Sequence, residues 1–93
     1  VITVHARFHS HFKELASTGE DSFVIEIPTV SEFAKCICEK YGARMRAMLI
    51  DPKTNELNER GTMFVNEKGM RVSAEDTLED GETITFLVGI AGG

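Results

Sequence analysis

Thr29-Val30-Ser31-Glu32-Phe33-Ala34-Lys35-Cys36-Ile37-Cys38-Glu39-Lys40-Tyr41-Gly42 is the stretch that decides the fold. Thr29 followed by Glu32 has the capping-box spacing, in which a hydroxyl and a carboxylate each satisfy an orphan backbone N–H. Val30, Phe33, Ala34, Ile37 and Tyr41 recur at helical spacing, and Gly42 stands where a terminating glycine belongs. The pattern predicts one helix over 30–41 with a single apolar face. Loss of the Thr29 cap is expected to cost about 1 kcal/mol.

An amphipathic helix of that length needs a surface to cover, and the flanking segments supply strands. Residues 1–8 alternate, with Ile2, Val4, Ala6 and Phe8 on one face and Thr3, His5 and Arg7 on the other. A polar segment with Gly19 follows, in which Phe12 and Leu15 pin at most a short helical turn. Phe23, Ile25 and Ile27 alternate inward over 23–27 until Pro28 stops the strand. Beyond the helix, residues 43–50 fit neither period well, because Arg44 and Arg46 interrupt both. They are expected to be irregular, leading into a short strand near 48–50. Asp51-Pro52-Lys53-Thr54-Asn55 is turn chemistry. Strands are expected at 62–66, 70–72 and 82–88, the last entered through an Asp80-Gly81 turn. A mixed sheet buries one face when a helix crosses it. With the first and last strands as parallel central neighbours, the fold is a β-grasp: α+β, a twisted mixed sheet of four to five strands and one main crossing helix. The domain then spans 1–88, with 89–93 as a flexible tail.

Composition narrows the functional classes. Ninety-three residues make one domain, and 42% hydrophobic with 27% charged residues fits an ordinary globular protein. A chain this size buries only roughly 60–65% of its unfolded surface, too little for a large enclosed catalytic pocket. A net charge of −5 argues against nucleic acid and favours a basic protein partner. No apolar run reaches membrane-spanning length and no signal-peptide pattern appears, so a cytoplasmic location is expected. Cys36 and Cys38 diverge by about 200° around the helix, which rules out a disulfide between them. They read as reduced, semi-buried thiols. His5, His9 and His11 read as solvated, and no metal site is expected. Asp76, Glu79, Asp80 and Glu82 read as a solvated turn facing a basic partner.

The chain ends Ala91-Gly92-Gly93. Glycine makes up about 7% of residues in general, so two at a fixed place arise by chance roughly once in 200 chains. A tail without side chains can thread a narrow channel and place an α-carboxylate inside another protein's site. Phe64-Val65-Asn66-Glu67, then Asp76-Thr77-Leu78-Glu79-Asp80-Gly81-Glu82-Thr83-Ile84, then Ala91-Gly92-Gly93 together resemble the ubiquitin-like sulfur carriers, which include the molybdopterin synthase small subunit and the thiamine-pathway carrier. Gly89-Ile90 stands where many members have a proline and a valine, and Glu67 where a glycine often follows Val-Asn. The insertion at 48–61 brings the length closer to molybdopterin synthase small subunits and archaeal small modifiers.

The resemblance implies that the Gly93 carboxylate is adenylated by an activating enzyme that supplies ATP and Mg, and that Gly92 keeps the approach open. A thiocarboxylate then carries sulfur to a large synthase subunit or another acceptor. No stably bound cofactor, membrane or nucleic-acid partner is implied, and no autonomous active site. Tail residues Ile90 and Ala91 would contact the partner. On the sheet, Phe64 and Leu87 are expected outward as an apolar docking patch if Met63 and Val65 point toward the helix. The opposite register buries Phe64 and exposes Met63 and Val65, since a slip of one residue inverts a strand's faces. An isopeptide-forming modifier uses the same Gly93 carboxylate and begins with the same adenylation.

Overall fold

In a computed structural model of the chain, which describes residues 1–58 and 61–88, the two longest alternating segments lie side by side. Strand β1 (Ile2–Phe8) pairs in parallel with β4 (Thr83–Val88), in a register running from His5↔Thr83 to Phe8↔Phe86. β2 (Glu20–Ile25) flanks β1 antiparallel and β3 (Thr62–Val65) flanks β4 antiparallel, giving the order β2-β1-β4-β3. A parallel central pair needs a crossover, and the intervening chain provides it through α2 (Val30–Tyr41). This is the β-grasp topology, with a four-stranded mixed sheet as expected.

The helix forms for the reasons its sequence gives. Thr29 Oγ1 accepts the Glu32 N–H at 3.2 Å. Only that half of the capping box is made, because the Thr29 N–H donates to the Ile27 carbonyl. At the other end Gly42 takes φ +88 and its N–H returns to the Cys38 carbonyl, a backbone geometry that side-chain-bearing residues resist. The chain then enters a second helix at once. α3 (Ala43–Leu49) replaces the expected irregular segment. Its arginines face away from the core while Met45 and Leu49, four residues apart, are buried. Residues 48–50 form no strand; Ile50 makes an isolated bridge to Leu57. Likewise 70–72 contributes only a bridge, Val65↔Arg71. The first connection also holds a full helix, α1 (Ser10–Ala16), seated by Phe12 and Ala16. β2 starts at Glu20 rather than 23, and Ile27, expected inward, is 56% exposed beyond its end.

One face of the sheet packs under the helices. Phe86 stands at its centre, with ring centroids 5.7 Å from Phe8, 6.0 Å from Phe12, 5.7 Å from Phe33 and 5.3 Å from Phe64. Leu78 is buried in the core below the turn into β4. Gly81 takes φ +84 there, and Asp80 reaches across the sheet to accept the Thr3 N–H at 2.8 Å rather than bonding its own loop.

Edge strand β2 is tied to the end of α2 by Asp21, which accepts from Lys40 Nζ and from the Tyr41 hydroxyl. Burial by itself would raise the Asp21 pKa. The bonds from Lys40, Tyr41 and the Ser22 N–H outweigh it and hold the carboxyl below its ordinary 3.8. Burial, reinforced by the Asp21 carboxylate, raises Tyr41 in turn. A lowered carboxyl pKa stabilises the fold above the unfolded value and is lost as pH falls through the folded one. Asp21→Asn is therefore expected to cost about 1 kcal/mol near neutral pH. In urea unfolding the gap between variant and parent should close below about pH 4. A gap that stays constant into that range would show that Asp21 acts by packing rather than charge.

Candidate functional site

β4 is the last described strand, and the residues around its end are the candidate site. Val88 pairs with Thr62, Leu87 pairs with Met63, and the His9 N–H donates to the Phe86 carbonyl at 3.1 Å. The four expected tail residues, Ile90, Ala91, Gly92 and Gly93, together with the tail segment 89–93 as a whole, lie outside the described residues.

The sheet face turned away from the helices carries Met63 and Val65 from β3 and Thr83, Thr85 and Leu87 from β4. Leu87 is on this face, half-buried, where alternation puts it. Phe64 is not. It is 1% exposed and pairs directly with Phe86, so both rings enter the core. The other register holds: Thr62 and Phe64 point in, Met63 and Val65 point out. Two interactions select this phase. The Phe64 ring completes the cluster around Phe86, and the buried Thr62 hydroxyl donates to the Asn58 carbonyl. Burying a phenylalanine side chain stabilises by about 1.5–3 kcal/mol, enough to set the phase of a short strand. The apolar patch on this face is thus Met63, Val65 and Leu87.

Toward β2 the same face turns polar. Arg7 Nε donates to Glu20 Oε1 at 3.2 Å, and His5 Nδ1 lies 2.7 Å from Ser22 Oγ. His11 is held by Glu14 on α1, so the three histidines are not gathered at one point. Among the described residues no group of three or more His, Cys, Asp and Glu side chains is placed to hold a metal ion. The acidic residues expected to act together are dispersed in their bonding. Asp80 holds Thr3, Glu82 holds the Glu79 N–H and Glu67 holds the Thr83 N–H, around a shallow hollow of about 410 Å³ at the end of the sheet opposite Val88. Cys38 is buried and Cys36 half-buried, both as free thiols. Burial first, with Glu32 and Glu39 beside Cys36, pushes the Cys36 thiol up. For Cys38, burial prevails over the Arg46 charge. Neither is activated as a nucleophile. No described helix is long and apolar enough to cross a membrane.

The parallel β1–β4 pair, the crossing helix and the sheet face left open on the other side define a ubiquitin-like β-grasp fold. Solved structures share that fold over nearly their whole lengths. Small archaeal modifier protein 1 from Haloferax volcanii matches with a TM-score of 0.81 at 11% identity, over 98% of this chain and 99% of that one. A putative molybdopterin converting factor, subunit 1, from Pyrococcus furiosus matches at 0.74 and 16% identity, over 97% of this chain and 100% of that one. Small archaeal modifier protein 1 from Methanosarcina acetivorans matches at 0.72 and 19% identity, over 99% and 97%. At these identities the likeness establishes the fold. No protein-family profile and no curated sequence matches the chain.

Proposed function

We propose that the chain is a sulfur carrier whose reactive group is the Gly93 α-carboxylate, most like the small subunit of molybdopterin synthase. The observation that carries this is that Gly92-Gly93 stands, in the sequence, only a few residues after β4, a central strand of a β-grasp sheet. Support comes from the match in fold and length to a putative molybdopterin converting factor subunit. A free carboxylate is a poor acyl donor. Attack of its oxygen on the α-phosphorus of ATP, bound with Mg on the activating enzyme, releases pyrophosphate and makes an acyl adenylate. The outer sulfur of a persulfide on a partner then displaces AMP to give an acyl disulfide. A second thiol of the partner attacks the partner-side sulfur, forming a partner disulfide and releasing the thiocarboxylate. The carrier contributes position, which supplies several kcal/mol when the bound geometry is right. The large synthase subunit is the proposed acceptor; thiamine, cysteine and tRNA thiolation are the other destinations. The likeness to small archaeal modifier proteins favours a second reading, isopeptide formation through the same carboxylate.

Met63, Val65 and Leu87 form the proposed docking patch, in place of the Phe64–Leu87 pair. The experiment is carrier-dependent ATP–pyrophosphate exchange by the adenylating enzyme of the same organism. Exchange is expected with the parent chain. Leu87→Asp should raise the KM for the carrier about tenfold or more at unchanged kcat, the signature of lost docking. No exchange with the parent refutes the carrier reading. A parent-like KM for Leu87→Asp refutes the patch.

A further inference from the structure

The four strands contain a single Lys or Arg, and it is Arg7. In a chain of net charge −5, that one strand cation sits on the open face, in the row Glu20–Arg7–Thr85–Val65 set by the strand pairing. It is thus one strand away from Val65 and opposite Thr85 in the middle of β4, two residues short of Leu87. Its side chain is 51% exposed, and its one ion pair among the described residues is the single Nε contact to Glu20, itself 69% exposed. Among the described residues no acceptor bonds the two terminal nitrogens of its guanidinium. An open hollow of about 560 Å³ lies between Arg7 and the Asn66-Glu67 end of β3, floored by Thr83 and Thr85. Across it, Glu67 is held by the Thr83 N–H.

This arrangement has a consequence for whatever covers the face. A partner that buries Met63, Val65 and Leu87 also takes water from Arg7. Covering the unfilled terminal nitrogens of a guanidinium costs free energy even with Nε paired to Glu20, whereas a carboxylate binds that fork through two parallel hydrogen bonds. The geometry points to Arg7 as a specificity-determining contact that receives an Asp or Glu side chain of the activating enzyme, set within an otherwise apolar surface. The inference rests on the carrier reading above. It also departs from the overall-charge expectation at this spot: Glu67 of the acidic hollow borders the same space as Arg7, yet the surface that receives Arg7 is locally acidic rather than basic.

The test uses the same exchange assay with the parent chain, Arg7→Gln, Arg7→Lys and Glu20→Gln. Arg7→Gln is expected to raise the KM for the carrier roughly 10- to 100-fold at unchanged kcat and an unchanged unfolding midpoint. Arg7→Lys should recover only part of the loss, because an ammonium lacks the fork. The parent KM should climb with added salt more steeply than that of Arg7→Gln. Glu20→Gln, which only frees Nε, should leave KM unchanged or lower it. Exchange with the parent together with an Arg7→Gln KM within about twofold of it overturns this inference alone. A Glu20→Gln loss as large as that of Arg7→Gln also overturns it, by showing that the intramolecular pair is what matters. Absence of exchange with the parent removes the carrier reading and this inference with it.

Discussion

Deleting Gly93, or replacing Gly92 by valine, is expected to abolish carrier-dependent ATP–pyrophosphate exchange and leave the fold untouched. The reason is chemical. Adenylation requires an α-carboxylate at the position the activating enzyme's site accepts, and removing one residue shortens the reach by about 3.5 Å. Near-attack geometry tolerates far less than that. Valine at 92 places a β-branched side chain next to the Gly93 carboxylate, in the narrow channel the tail must thread to bring that carboxylate to the α-phosphorus of ATP. Neither change touches the described core, whose buried side chains come from residues 4 to 86. The unfolding midpoint should therefore match the parent while exchange falls to background. Normal exchange by either variant would contradict the assignment of the reactive group.

The largest stability effect is expected at Phe86. Its ring contacts those of Phe8, Phe12, Phe33 and Phe64, which arrive from β1, α1, α2 and β3. Truncation to alanine removes a contact partner from every layer at once, and a rigid sheet closes around such a void poorly. Phe86→Ala should cost about 3–5 kcal/mol. Domains of this size have about 5–15 kcal/mol in total, so the variant should sit near or within its unfolding transition at physiological temperature. Phe86→Leu, which fills more of the space, should lose less than half as much. Urea unfolding measures both. A loss under about 1.5 kcal/mol for the alanine variant would mean that the core repacks and that Phe86 is not its hub.

The elements that could be read from the sequence are those whose pattern has one solution. α2 has a cap, five apolar residues on one face and a glycine stop. β1 and β4 alternate over enough residues that a single phase survives, and their length alone suggested the central parallel pair. The missed elements each lack that redundancy. α3 anchors through only Met45 and Leu49, and its interleaved arginines disguise the helical period. α1 is likewise held by two buried residues in a polar stretch.

The docking face shows the same limit at higher resolution. Every residue of Thr62-Met63-Phe64-Val65 tolerates burial, so period two has no polar side to orient it. Only the pairing of Phe64 with Phe86 and the Thr62–Asn58 bond, both tertiary, choose the phase. Leu87 lay on a strand whose inward residues were unambiguous, and its face was legible. Arg7 was legible as outward-facing. Its isolation as the one strand cation and its unfilled fork became visible only when four strands were placed side by side.

The most direct measurement of the central claim is the intact mass of the chain, with fragmentation of its C-terminal peptide. It is taken after incubation with ATP, Mg, the activating enzyme and a sulfur donor. A carrier gains the mass of one sulfur-for-oxygen exchange, localised to Gly93. Unchanged mass at Gly93 despite active exchange, or Gly93 found only in isopeptide linkage to lysine, would contradict the sulfur-carrier assignment.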